Sequence, residues 1–505
     1  MQVGIIAVVF LYEVITIFGV AYFMNRKKKA RAASGEVDEH QFALGGRSLG
    51  TWAVGTTMCL TLLGSGHLTG TWEGALTLGG AQIWHVMANG FAMALGAYTI
   101  YKWARRMRIT TMGEMLTILY APVLALVISA VNIAVGWAVT SFETQALGII
   151  NNSLTGISLP VCCIIAVVLG FAYVVLGGTE QVAKLNQINV IILYVGMFGA
   201  LAFLVFELPG HDFSTISDYY TGNPEYGDSF VTFTGGKETF LSIGLPVCIA
   251  PFFAHLTGQQ TIQTAASCKN EKALKRVAWF VGPMNVIVGA ISIVLTLTAR
   301  SMPEFADVDN KLVCAQMLIA TMPKWFMAIL MAAFIAAILS SYGGFLLGSS
   351  TIIAMDFIKL YKPKMTEKEE TKYIRIGLLV GAVYCGIMAQ TLPTIVLMFT
   401  WIYSFMIPVL WLYLFGLWWK RNTKVALISF FASWAIACFA TFAAPILPEW
   451  YANIHIAYQI AVISFVIMLV GNLVTSGKPG YFKSREWFES EAYHMYLQEK
   501  KEGNA

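Results

Sequence analysis

Apolar runs of about 20 residues recur from one end of the chain to the other, parted by short polar stretches. A run of that length crosses a hydrocarbon layer of about 30 Å as a helix. Helix is the form expected there, because lipid offers no water to satisfy backbone N–H and C=O groups. Thirteen such runs are read, at roughly 3–24, 48–75, 80–103, 121–150, 159–177, 184–207, 238–258, 276–300, 323–358, 373–392, 394–418, 424–444 and 455–475. The polar stretches between them, at most about 30 residues, are too short to fold alone. The pattern therefore predicts an all-α polytopic membrane protein with one transmembrane domain over 1–475 and a cytoplasmic tail over 476–505.

Charge sharpens this into a topology. Charged residues make up 12% of the chain and apolar ones 57%, where an ordinary soluble domain carries about a quarter charged. With thirteen crossings, 29 of the 33 Lys and Arg fall in loops on one side, and Lys237, Arg300, Lys311 and Lys324 alone fall on the other. Basic loops stay cytoplasmic, so the N-terminus is expected outside and the C-terminus inside a cell membrane. The first run has no basic residue before it and Arg26-Lys27-Lys28-Lys29 after it, the reverse of a signal peptide. The opposite face carries Asp212, Asp218, Glu225, Asp228, Glu238, Glu304, Asp307 and Asp309, which reads first as solvated surface. Seven of the eight cysteines lie in or beside apolar runs and Cys314 falls in an expected extracellular loop. No spacing suggests a disulfide framework or a zinc site.

Two runs carry helix breakers. The second has Gly64-Ser65-Gly66 and Gly70, and the seventh has Pro246, Pro251 and Gly258. Runs two to six and seven to eleven each make five helices, so the second set is inverted relative to the first. The expected parts are an extra helix over 1–30, repeats over 48–207 and 238–418, and two closing helices over 424–475. Broken helices at matching places in inverted halves expose carbonyls and half-helix ends near the midplane, where transporters bind their cargo. Glycine that merely permits close helix packing is the plainer alternative. The ninth run holds Ser340-Ser341. Paired serines commonly bond back to the preceding turn, but with neighbouring carbonyls they also make the neutral oxygen set that a small hard cation takes.

The segment Phe42-Ala43-Leu44-Gly45-Gly46-Arg47-Ser48-Leu49-Gly50 resembles the opening "LGGRSLG" motif of the sodium:solute symporter family. Thr257-Gly258-Gln259-Gln260-Thr261-Ile262-Gln263, running on to Lys269-Asn270-Glu271-Lys272, is similar to its "TDQxxxQRxxAAKDEK" stretch. Ala336 to Ser341 resembles its "AAxxSS/T" segment, with Asp356 at the family's acidic position. The likeness runs over about 42–420 and is of the proline, sugar and sialic-acid symporter type. It implies a LeuT-type core of five plus five helices, and sodium as the coupling ion. Carried over by position, it implies a sodium site of Ser340, Ser341 and the carbonyls of Ala337, Leu60 and Leu63. Gly258 and Thr264 stand where the family has Asp and Arg, which leaves the inner gate unassigned. The number of sodium ions stays open.

By the same resemblance the solute sits beside the broken helices, with Gly64, Ser65, His67, Thr69, His85, Asn89, Glu143, Phe252, His255 and Gln259 as candidates to touch it. Ionisable groups within a membrane are costly and usually functional. Glu143 would bind an ammonium, carry a proton, or pair with His67 or His85; packing explains a buried histidine nearly as well. Trp52, Trp72, Trp84 and Trp137 suit a cation as well as an interface. No Lys or Arg lies near a midplane to clamp a carboxylate, so the lean is to a zwitterionic or cationic nitrogen compound such as an amino acid or amine. A sugar or a monocarboxylate is the alternative, since members share a fold and differ in cargo. A solute sensor working with a separate partner is another. No nucleophile–base–orienter pattern supports an enzyme. The expected partners are a small solute, sodium and the bilayer, with no nucleic acid, in a monomer or weak oligomer.

Overall fold

A computed structural model describes residues 2–33, 40–208, 211–392 and 395–504. Positions 34–39 of the first basic loop and Thr394, where the eleventh run was placed to begin, lie outside the described residues. Ten helices among those described are long and apolar enough to cross a membrane.

The chain opens with α1 (Gln2–Ala33) and a short motif that leads into α2 (Thr51–Leu62) and α3 (Thr69–Leu78). The run at 48–75 is thus two helices. α4 (Ile83–Tyr98), α5 (Pro122–Thr155), α6 (Leu159–Val175) and α7 (Gly178–Glu207) complete the first half. Pro122 and Pro160 sit in the first turns of α5 and α6, where a missing N–H costs nothing. The second half begins with α8 (Leu245–Thr257) and α9 (Gln259–Ala266), parted by Gly258 in an extended conformation. Of the three breakers foreseen there, Gly258 makes the interruption, while Pro246 starts α8 and Pro251 is accommodated within it. α10 (Glu271–Ser301), α11 (Lys324–Ile352), α12 (Glu367–Met388), α13 (Ile395–Ser404) and α14 (Ile407–Trp418) follow. α15 (Thr423–Phe442) and α16 (Ile456–Val474) close the bundle.

Burial sorts these helices into centre and rim. The apolar stretch of α11 is 94% buried, packed on α2, α5, α7 and α12, whereas that of α1 is 22% buried. A helix hydrophobic all round and buried all round is the core of the bundle. Without a hydrophobic drive between helices in lipid, close packing must do more of the joining. It does so where α4 crosses α10: a methyl at Gly90 would lie 2.9 Å from the Gly282 carbonyl. Cys314, expected in a loop, is fully buried in a helix at Val313–Thr321, because the 302–323 connection folds back onto the bundle.

The basic-rich end is bound shut by polar contacts. The Arg47 guanidinium donates to the carbonyls of Arg108 (2.7 Å), Ile109 (3.2 Å) and Ala266 (3.2 Å), joining the opening motif to the ends of both halves. Leu49 N–H donates to Ser267 O at 3.0 Å, and Lys269 N–H to Leu49 O at 2.9 Å. The tail beyond 476 is docked across this end. β1 (Lys420–Arg421) pairs antiparallel with β2 (Lys478–Pro479), and α17 (Glu491–Lys501) reaches Arg105 through Glu499 at 2.8 Å. Bonds from Arg421 and Lys478 hold the Glu486 carboxyl below its ordinary range.

Arg47→Lys is expected to lower the thermal unfolding temperature. A point ammonium cannot span three carbonyls as the fork does, and charge-assisted bonds of this kind are worth about 1.5–3 kcal/mol each. An unfolding temperature equal to that of the parent chain would contradict the joining role given to Arg47.

Candidate functional site

A helix running on past Leu62 would direct the Ser65 N–H to the Thr61 carbonyl. Here that N–H donates instead to Glu143 Oε2 of α5, at 2.7 Å. The helix stops, and α3 begins only at Thr69. The Thr61 carbonyl so released accepts the Ser341 hydroxyl of α11 at 2.5 Å, and the Leu60 carbonyl lies 3.2 Å from the same oxygen. Two foreign side chains thus take up the backbone groups of one missing helical turn.

Gly64 makes this possible. A methyl there would sit 2.2 Å from Ser341 Oγ and 2.5 Å from Glu143 Oε2. Both atoms therefore approach one point, and lie within about 5 Å of each other. The assembly gathers two backbone carbonyls and a hydroxyl beside a carboxylate. Neutral oxygens of this kind suit a hard monovalent cation. Thr61 Oγ1 is buried without a hydrogen-bond partner. Ser340 stands beside Tyr173 of α6. Ala337 lies one turn before Ser341 and is fully buried, and Leu63 ends the helical half with φ −82° and ψ 31°.

Next to this point is a small pocket lined by Thr61, Gly66, His67, His85, Asn89, Glu143, His255, Phe399 and Tyr403, among others. The His67 and His85 rings are 5.7 Å apart, and His255 meets Tyr403 edge-on at 4.9 Å. Phe399 and Tyr403 stack nearly parallel, at 15°. Asn89 Oδ1, His85 Nδ1 and His255 Nδ1 are buried without partners. Each such orphan costs about 1–3 kcal/mol, so the pocket is built for a polar occupant. Its volume is about 20 Å³, room for a single water. In this arrangement the pocket is too small for an organic molecule.

Of the residues singled out in the sequence, His67, His85, Asn89, Glu143 and His255 line this pocket, with Gly64 and Ser65 beneath it. Thr69 caps the break, its hydroxyl 3.3 Å from Ser65 O. Phe252 and Gln259 are elsewhere. Phe252 faces an outer cavity with Phe91, Tyr98 and Trp279. The Gln259 amide accepts from Met112 N–H at 2.8 Å and donates to Thr110 O and Gln263 Oε1, both at 3.1 Å. α9 starts afresh after Gly258, and that new start turns Gln259 toward the loop at 110–112. Asp356 closes the same region, accepting from Thr111 at 2.5 Å and Ser129 at 2.6 Å. The sequence reading missed Thr61, whose carbonyl rather than its side chain matters, and Phe399 and Tyr403. An i, i+4 aromatic pair is also what plain packing looks like.

The profile of the sodium:solute symporter family matches residues 42–432. A high-affinity choline transporter of Drosophila melanogaster is 23% identical over 400 residues, covering 78% of this chain and 63% of that protein's own length. A sodium/glucose cotransporter of Vibrio parahaemolyticus is 23% identical over 484 residues, 86% of this chain and 84% of that protein. Among solved structures, a Na+-coupled sialic acid symporter in a substrate-bound outward-open state superposes with a TM-score of 0.72 at 18% identity. It covers 94% of this chain and 99% of that one. The helix arrangement is the LeuT type.

Gly64→Ala is expected to lose about 1–3 kcal/mol of stability, the usual effect of overpacking. Gly66→Ala, whose methyl would meet nothing closer than 3.6 Å, is the matched control and is expected to stay within about 0.5 kcal/mol. Equal unfolding temperatures for the two variants would contradict the close approach at Gly64.

Proposed function

The chain belongs to the sodium:solute symporter family, and we propose that it imports a small polar organic solute by alternating access, driven by sodium moving down its own gradient. The observation that carries this reading is the meeting of Ser341, the Leu60 and Thr61 carbonyls and Glu143 around Gly64, against the wall of the solute pocket.

Sodium is the co-transported ion in this account. Ser341 turns its hydroxyl proton away from Thr61 and offers a lone pair, while the carbonyls of Leu60 and Thr61 stay in place. Ser340 joins by a χ1 rotation, an ordinary rotamer change. The carbonyls of Leu63 and Ala337 complete the set. The Glu143 carboxylate lowers the cost of holding the charge, and its bond to Ser65 N–H fixes the break that supplies the carbonyls. Because Glu143 also lines the pocket, ion and solute favour one helix arrangement, and each strengthens the other by the same factor. The five-plus-five division, the N-terminus outside and the tail inside complete the proposal.

The solute is a zwitterionic or cationic nitrogen compound. Glu143 and the Phe399–Tyr403 stack suit an ammonium, through charge and cation–π attraction. Asn89, His67 and His85 suit the oxygens at its other end. The choline transporters among the relatives bear the same class of cargo in their names. The unpartnered His85, His255 and Asn89 atoms also favour a second reading, a polyhydroxylated sugar.

Uptake into proteoliposomes by Ser341→Ala and by Ser340→Ala should need about tenfold more sodium for half-maximal rate, the effect of losing roughly 1.4 kcal/mol of ion binding. Sodium dependence unchanged in both variants would sink the assigned site. A screen of choline-, amino-acid- and sugar-type solutes by thermal shift, with and without sodium, separates the two cargo readings. The nitrogen reading predicts sodium-enhanced stabilisation by amines or amino acids and none by sugars, since stabilisation grows with ligand over dissociation constant.

A further inference from the structure

α1 is a rim helix, yet Glu13 interrupts its apolar run and turns inward, 2% exposed. Its Oε1 is buried without a hydrogen-bond partner. Near the far end of α5, Asn151 presents a second buried and unpartnered atom, Nδ2. Both residues line one cavity of about 240 Å³ between α1, α5, α6 and α11, well apart from the histidine pocket in its lining. The other walls are mostly apolar, with Val9, Leu154, Leu169 and Ile335 beside Thr155 and Cys162, and among the described residues no Lys, Arg or His lines it. Phe10 and Ile165, at 55% and 37% exposure, mark its mouth on the lipid-facing rim.

These features describe a slot for an apolar chain with a carboxyl group in its wall. A carboxylate in such surroundings is costly unless a positive charge reaches it, and none of the described residues lining the cavity supplies one. We propose that this cavity is a binding site for a lipophilic amine, such as a long-chain alkylamine or amino alcohol. Its ammonium pairs with Glu13, and its hydrocarbon chain lies along Leu169 and Ile335. Asn151 Nδ2 donates to an oxygen next to the amine where there is one. The site reaches the transport machinery by one rigid element, since Ile335 stands on the same helix as Ser340 and Ser341. It does not depend on which solute the central pocket takes.

The full-length chain in a neutral detergent is titrated with dodecylamine, dodecanol and dodecanoate, and thermal unfolding is followed. The expected result is saturable stabilisation by dodecylamine at about tenfold lower concentration than by dodecanol, the size of one charge-assisted hydrogen bond. Glu13→Gln should bring that ratio close to one while leaving dodecanol unaffected. Ile165→Trp, which narrows the mouth without touching Glu13, should weaken both compounds and serves if Glu13→Gln does not fold. Equal affinity for amine and alcohol in the parent chain overturns the proposal, because Glu13 then holds a proton of its own. A preference for dodecanoate, or an amine preference that survives in Glu13→Gln, overturns it as well.

Discussion

One misdirected hydrogen bond organises the centre of this molecule. The Ser65 N–H leaves the helical ladder for Glu143, and the Thr61 carbonyl, left without it, turns to Ser341. A backbone break in lipid is tolerated only where its polar groups find partners or line a cavity. Here both conditions hold, since the partners are buried side chains and the cavity is the histidine pocket. The break therefore needs α5 and α11 in fixed positions, and it places a carboxylate and a hydroxyl on either side of one glycine.

That requirement reaches outward through the fold. α11 must be held on every side, and its near-complete burial between α2, α5, α7 and α12 does so. The second break at Gly258 has a different local chemistry. The His255 carbonyl it frees accepts from the Tyr101 and Thr261 hydroxyls, both at 2.7 Å. The first break faces an ion-sized oxygen cluster, while the second is satisfied by fixed hydroxyls. The pair is matched in position and unequal in chemistry, which is why the proposed cation site is placed at α2, while α8 lines the pocket through His255. At the basic-rich end, Arg47, Gln259, Asp356 and the docked tail hold the helices together through polar contacts.

Much of this was legible in the sequence, for a physical reason. Lipid removes the ambiguity that water allows, so apolar run length translates into helix, and Gly64-Ser65-Gly66 stands out as punctuation in one of them. Ser340-Ser341 and Glu143 stood out as polar groups where polarity is expensive. The sequence was silent wherever the answer depended on which neighbour a residue meets. That the Ser65 N–H finds Glu143, 78 positions away, follows from tertiary packing alone. Phe252 and Gln259 lie on the expected helices but face the rim and the loop at 110–112, because rotation about a helix axis is set by its neighbours. Thr61 was passed over because the resemblance places the carbonyls at Leu60 and Leu63, and only the packing of α11 puts the Ser341 hydroxyl on Thr61. The sequence reads 476–505 only as a cytoplasmic tail; its docking rests on Arg105–Glu499 and Arg421–Glu486, pairs that charge alone cannot match up.

The break in α2 and the Ser341 hydroxyl are proposed to hold a sodium ion together. Equilibrium binding of radioactive sodium to the purified chain tests it without knowledge of the solute. The account predicts saturable binding that is weakened at least about tenfold in Ser341→Ala and also falls in Glu143→Gln, whose lost charge no longer supports the ion. Saturable binding of equal strength in all three proteins would contradict it, and would place the ion away from Gly64.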